Sequence, residues 1–270
     1  MTDAGFQLFA IAAAAVFGSL IGSFLNVVVW RVPRGLSVVS PPSACPGCGH
    51  GIAWYDNIPI LSYLLLGGRC RRCGAGISGR YPLVELGTAV TFALAVAGAL
   101  AGVFPVSLLP LVLYWVAVGI ALALIDLEHH RLPDGLTLPS VVVTAVLLVA
   151  ASAFDGEPGR LLPAAVGLVA LGGLYLLLAI GYRGGMGLGD VKLALGLGPL
   201  LGWLGWAPLI VGGFSAFVFG GVVGIVLMAA GRAGRRSGIP FGPFMLGGAA
   251  FGVVAGPAVA ALYLSLAGLA

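Results

Sequence analysis

Eight runs of apolar residues dominate the chain, at roughly 5–30, 82–103, 107–125, 136–153, 161–181, 190–203, 205–230 and 241–268. A helix needs about 20 such residues to cross the hydrocarbon core of a bilayer. The pattern therefore predicts an all-α polytopic membrane protein of about eight transmembrane helices. The sixth run is short and interrupted by Gly196, Gly198 and Pro199. Its form is the least determined of the eight. One long polar segment, 31–81, separates the first two runs and holds all four cysteines. It divides the chain into a first helix (1–30), a loop domain (31–81) and a membrane domain of about seven helices (82–270).

Composition agrees with the pattern. Hydrophobic residues make up 60% of the chain and charged residues only 8%, against about 25% charge in soluble domains. The first apolar run is too long for the core of a removable signal, and Met1 to Ala4 offers no basic segment before it. The distribution of positive charge then orients the helices. With eight crossings, the odd-numbered loops hold Arg31, Arg34, Arg69, Arg71, Arg72, Arg80, Arg131, Arg183, Lys192, Arg232, Arg235 and Arg236, and the even-numbered loops hold only Arg160. Loops rich in Lys and Arg stay in the cytoplasm. The cysteine loop is therefore expected in the cytoplasm and both termini outside. The same count favours two crossings between 190 and 230, because one would carry Arg232, Arg235 and Arg236 to the far side.

The loop reads "CPGCGH" at 45–50 and "CRRCGA" at 70–75. Cys45, Cys48, Cys70 and Cys73 form C-x2-C-x21-C-x2-C, close to zinc-ribbon spacing. Each pair can bite one ion, and the glycine after each pair permits a tight turn. Four thiolates fill a tetrahedral site and leave no open position, so the predicted role is a structural Zn²⁺. Two disulfides are the alternative, which a reducing cytoplasm opposes. Between the knuckles, "GIAWYDNIPILSYLLLGGR" reads as the small core of this module. A surface against the membrane or a ligand is the other reading.

Carboxylates at membrane depth are costly and point to function. Asp3, Asp155 and Glu157 fall on the outer side, Asp56 in the cysteine loop and Glu85 at the start of the second run. Asp126, Glu128, Asp134 and Asp190 remain, all at cytoplasmic ends of helices or in the loop between. In "ALALIDLEHHRLPDGLTL", Asp126 follows directly on an apolar run, and Asp134 reads as a helix N-cap. Glu128, His129, His130 and Arg131 read as a solvated loop. The histidine pair as a metal site is the less favoured reading.

Asp190 stands in "GGMGLGDVKL" (184–193). A Walker phosphate loop needs a Lys-Ser/Thr pair after its glycines, and a dinucleotide site needs a βαβ unit. Both are missing. A helix cap is compatible with the stretch, and so is half of an active site. The charge count brings Asp126 and Asp190 to the same face at the same depth. Two adjacent aspartates resist joint ionisation and share a proton, so one can act as base on a water and the other as acid. Gly187 and Gly189 would then let a substrate backbone approach. Asp126 lies near a helix C-terminus and Asp190 at a helix N-terminus. The helix dipoles therefore place the shared proton on Asp126. Lys192, two residues on, is turned away from Asp190.

Five collinear blocks carry a family resemblance: "GSFLNVVVWRVP" (22–33), the two knuckles around "WYDNIPILSYLLLGGRC", "RYPLVE" (80–85), "IDLEHHRLPD" (125–134) and "GMGLGDVKL" (185–193). Together they resemble type IV prepilin peptidases, membrane aspartic proteases of the GxGD type. The resemblance implies that Asp126 and Asp190 are the catalytic pair. It implies removal of the basic leader from prepilins and pseudopilins, just after a Gly, at the cytoplasmic face of a bacterial inner membrane. Members with the cysteine domain often also methylate the new N-terminal amine with S-adenosylmethionine, and no residue here marks the methyl-donor site. The lipid bilayer is the expected environment, and no nucleic-acid partner is expected. The sequence does not fix the oligomeric state, although Gly212, Gly213, Gly220, Gly221 and Gly224 permit close helix packing. The rival readings are a transporter and a non-catalytic assembly protein with the cysteine loop for docking. Against a transporter, the acids cluster at one face and no inverted repeat is evident.

Overall fold

The computed structural model describes residues 3–181, 186–232, 234 and 238–269. Among the described residues the long elements are all helices: α1 (Asp3–Arg31), α3 (Arg80–Leu100), α4 (Leu109–His129), α5 (Asp134–Asp155), α6 (Leu161–Gly181), α7 (Leu188–Leu204), α8 (Trp206–Ala229) and α9 (Gly242–Leu266). A five-residue helix, α2 (Leu61–Leu65), lies in the polar segment. The eight apolar runs thus appear as eight helices in the expected order. Seven are long and apolar enough to cross a membrane, and the 17-residue α7 is the exception. This is the short, glycine-broken run that the sequence leaves least determined.

The chain divides into two units, one of residues 1–102 with 112–121 and the other of residues 103–111 with 122–270. In the first, α1 packs along α3. A Cβ on Gly22 would stand 2.7 Å from the Glu85 Cα, and one on Gly18 would stand 2.8 Å from the Phe92 Cβ. Only glycine lets these helices approach so closely. The same helices fasten the polar segment. Buried Glu85 accepts the Ile60 N–H at 2.7 Å and holds Ile60 at φ 64°, a rare conformation for a β-branched residue. Asn26 donates to the Tyr81 carbonyl at 3.2 Å, and buried Arg31 donates to the carbonyls of Ser37 and Pro41. The blocks "GSFLN" and "RYPLVE" therefore meet each other across the α1–α3 seam.

The second unit is built on two glycine-lined seams. A Cβ on Gly198 of α7 would lie 2.4 Å from the Gly167 carbonyl oxygen of α6, and one on Gly202 would lie 2.3 Å from that of Pro163. Gly248 and Gly252 of α9 press in the same way against Gly212, Pro208 and Ala216 of α8. Of the glycines expected to serve packing, Gly212 faces α9, Gly213 faces Leu171, and Gly220 faces the rings of Phe241 and Phe244. Gly224 has only Ile239 in ordinary contact, and Gly221 borders open space. Helix α5 is apolar outside and polar inside. Val142, Val146 and Val149 are exposed, whereas Thr137, Ser140, Thr144 and Ser152 are buried. Lipid rewards that inversion, provided each buried hydroxyl is bonded. Ser140 donates to the Leu136 carbonyl, and Ser152 accepts the Trp203 indole N–H at 2.7 Å.

Candidate active site

Asp126 lies in the last turns of α4, which continues three residues further to His129. Its neighbours Leu122 and Ile125 are fully buried, and Asp126 itself is only 5% exposed. A buried carboxylate must find donors. Its Oδ2 accepts the backbone N–H of Gly242, the first residue of α9, at 2.9 Å. Asp190 enters α7 in its first turn. The N-cap is Gly187, not Asp190. Asp190 sits three residues on and reaches back, its Oδ2 accepting the Gly187 N–H at 3.0 Å. The Asp190 N–H returns to the Gly187 carbonyl at 3.1 Å. The cap reading of this stretch thus holds in altered form, with the carboxylate tying off the turn that presents it.

The two carboxyl groups lie near enough for their charges to interact, and the Tyr175 phenol lies within reach of the Asp190 charge. Tyr175 is buried at 1% exposure, and its ring stacks on Phe217 and Phe241 at 5.6 and 6.1 Å between centroids. That aromatic cluster seats the residue just before Gly242. Leu132, in the α4–α5 connection, fits between the glycines. A Cβ on Gly189 would stand 3.0 Å from its Cβ, and one on Gly242 would stand 3.1 Å from its Cδ2. The elements bearing Asp126, Asp190 and Gly242 therefore converge on one small space.

Three expectations change here. Asp134 is not an N-cap. Pro133 occupies that position, and the Asp134 carboxylate instead pairs with Lys192 at 2.6 Å. Lys192, expected to turn away from Asp190, has this partner of its own. The glycines also have different neighbours. The missing side chain of Gly189 makes room for Leu132, whereas Gly187 is exposed and borders the Asp190 carboxylate. The dipole argument that separates the two aspartates loses its asymmetry, because the N-terminus of α9 meets Asp126. Gly184, Gly185, Arg183, Arg235 and Arg236 lie outside the described residues.

The four cysteine sulfurs fall within 4.8 Å of one another, with Cys45 and Cys73 at 3.7 Å and none in a disulfide. Tetrahedral zinc with sulfur at about 2.3 Å spaces its ligands about 3.8 Å apart. The two knuckles are copies. The N–H of Cys45 meets the His50 carbonyl and that of Cys70 the Ala75 carbonyl, at 2.9 and 2.8 Å. Gly49 and Gly74 turn each knuckle at φ 69° and 72°. The backbone N–H groups of Cys73 and Arg72 pull the Cys70 thiol down to about 6. At Cys73 the Ala75 N–H favours the thiolate, but burial and the other three sulfurs outweigh it and push the thiol up to about 11. Crowded thiolates of this kind suit a divalent cation. Among the described residues no other group of three or more potential ligands gathers in this way.

Two family models match the chain. Residues 16–99 fit the bacterial peptidase A24 N-terminal domain, and residues 111–225 fit the type IV leader peptidase family. Proteins named prepilin leader peptidase/N-methyltransferase align over most of its length. That of Pseudomonas aeruginosa is 34% identical over 94% of this chain and 93% of its own. That of Burkholderia pseudomallei strain 1026b is 38% identical over 91% of this chain and 84% of its own.

The chain belongs to the type IV leader peptidase family.

A Myxococcus xanthus member is 41% identical over 82% of this chain, and the match spans 64% of that longer protein. No solved structure matches significantly. The chain is accordingly a multi-pass membrane protein of a bacterial family. Two features of its site have no plain signature in the sequence. Gly242 stands 116 residues from the carboxylate that it holds. Tyr175 lies in an apolar run that gives no sign of its neighbour. The local cue that could have led to the first is "IPFGPF" (239–244), a glycine between two prolines at a helix start.

Proposed function

We propose that the chain is a prepilin leader peptidase and N-methyltransferase in which Asp126 and Asp190 are the catalytic pair. The observation that carries this reading is the convergence of two carboxyl groups from α4 and α7, each accepting one backbone N–H at a helix N-terminus. One carboxylate takes a proton from water as the oxygen attacks the scissile carbonyl. The other, protonated, gives its proton to the departing amine. No metal is needed for this hydrolysis. Exposed Gly187 borders the carboxylate on the open side, where an extended substrate backbone would pass.

The substrates are prepilins and pseudopilins, with a basic leader and an apolar helix. Such a segment presents its scissile bond at the cytoplasmic edge of the bacterial plasma membrane. The asymmetry of Arg and Lys supports a cytoplasmic position for the cysteine loop and for both aspartates, with the two termini outside. The cysteine cluster holds a structural Zn²⁺, which would cross-link residues 45–73 and take no part in hydrolysis. S-adenosylmethionine is the methyl donor for the new N-terminal amine.

The test is leader removal from a prepilin by the purified protein in detergent, repeated with Asp126→Ala and Asp190→Ala. Each variant should lose cleavage yet still methylate a pilin that has already been processed. Full cleavage by either variant would remove the dyad mechanism.

A further inference from the structure

A carboxylate that must hand protons to and from a substrate needs a fixed orientation. Its torsions are held only if its oxygens are held. Asp126 gains that hold from a distant part of the chain. Its Oδ2 accepts the Gly242 N–H at 2.9 Å, and this bond is buried within the second unit. The surrounding backbone leaves this donor free to serve. Pro243 has no N–H and fixes its own φ. The next two N–H groups, of Phe244 and Met245, turn back to the Phe241 carbonyl at 3.0 and 3.1 Å. Gly242 is then the residue of this first turn that points its N–H at the carboxylate.

The residue type matters as much as the donor. A Cβ at position 242 would lie 2.8 Å from the Asp126 Oδ2 and 3.1 Å from the Leu132 Cδ2, so the carboxyl itself would have to shift. The φ of Gly242 is not among the positive ones, so what glycine supplies here is space beside the carboxyl and not conformation. We infer that Gly242 is a positioning residue of the peptidase, its N–H fixing the Asp126 carboxyl and its bare Cα letting that carboxyl approach. "IPFGPF" then becomes a third sequence element of the site beside "IDLEHHRLPD" and "GMGLGD". The α9 N-terminus adds its partial positive charge at the same point. This inference rests on the reading of Asp126 as half of the catalytic pair.

The experiment uses the full-length protein, a prepilin substrate and four variants: Gly242→Ala, Asp126→Ala, the double variant, and Gly247→Ala. The last serves as control, because a Cβ there has only Phe219 near it, at 3.9 Å. Gly242→Ala should lower kcat by about tenfold or more with KM changed less than about twofold, and Gly247→Ala should match wild type. Thermal stability supplies a readout independent of activity. Gly242→Ala should lower Tm when Asp126 is present and lose most of that effect in the Asp126→Ala background. A wild-type kcat, or an equal loss of Tm in both backgrounds, would overturn the inference. Should Gly242→Ala fail to fold, rescue by Asp126→Ala supports it and failure in both backgrounds overturns it. Full cleavage by Asp126→Ala alone would instead remove the dyad on which the inference stands.

Discussion

Lys192 Nζ lies 2.6 Å from Asp134 Oδ1 and ties the first turn of α7 to the first residue of α5. Asp190 shares that turn of α7 with Lys192. Both partners are partly exposed, at 28% and 59% of their side chains, so the pair is worth only about 0–1 kcal/mol. Its effect is therefore one of alignment. Lys192→Met should slow cleavage a few-fold without unfolding the protein, and exchanging the two residues as Asp134→Lys with Lys192→Asp should restore most of the rate. A loss as deep as that of Asp190→Ala would show instead that the ammonium takes part in the chemistry.

Metal content is the next prediction. The sulfur geometry fits a closed tetrahedral ion, and a zinc site of this kind contributes folding free energy outright. Protein purified without added chelator should carry one zinc per chain by elemental analysis. Cys45→Ser and Cys70→Ser should each lower that content and expose the segment between the knuckles to rapid proteolysis. Because the site has no open position, leader cleavage should outlast the loss of metal. Prompt loss of cleavage on chelation, with the membrane helices intact, would contradict a purely structural ion.

The same loop carries an ion pair with a pH signature. The Arg71 guanidinium donates to both Asp56 oxygens, at 2.7 to 3.0 Å, and its hydrogen bonds hold the Asp56 carboxyl below the usual carboxylate range. A carboxyl depressed in the folded state stabilises above its unfolded value, about 3.9. That contribution is lost as pH falls through the lower folded value. The Tm difference between wild type and Asp56→Asn should thus be constant above about pH 5 and shrink toward zero in stronger acid. A difference that grows on acidification would contradict the pairing. High salt should shrink it as well, since the arginine is well exposed.

How far the sequence reaches can be judged from particular residues. The membrane helices were legible because lipid demands unbroken apolar length. The knuckles were legible because C-x2-C spacing and a following glycine are local rules, satisfied within a few residues. Asp126 and Asp190 were placed at one face by the charges that flank them. What stayed hidden is contact between distant segments. Nothing near Asp134 signals that Lys192, 58 residues on, will draw its side chain away from the helix cap that its position suggests. Nor does any local rule tell which carboxylate the start of α9 will meet. Gly189 illustrates a further limit. Its place beside Asp190 suggested room for substrate, and the space is taken by Leu132.

The seam between α6 and α7 gives the last prediction, because it sets where Asp190 stands. Glycines 167, 198 and 202 bring the two backbones into direct contact, with the Gly198 Cα side facing the Gly167 carbonyl. A methyl group at 198 would have to sit 2.4 Å from that oxygen, so the helices must separate. Overpacking of this kind costs about 1–3 kcal/mol, and here the strain falls on a helix whose first turn presents a proposed catalytic carboxylate. Gly198→Ala should therefore lower both Tm and kcat. Gly173→Ala, on α6 with nothing within 4 Å of the new methyl, should change neither. If both variants behave alike, the glycines of this seam serve some end other than close approach. If Gly198→Ala loses stability but keeps its kcat, the pose of Asp190 is set by the Gly187 turn and the Lys192 pair, independently of helix spacing.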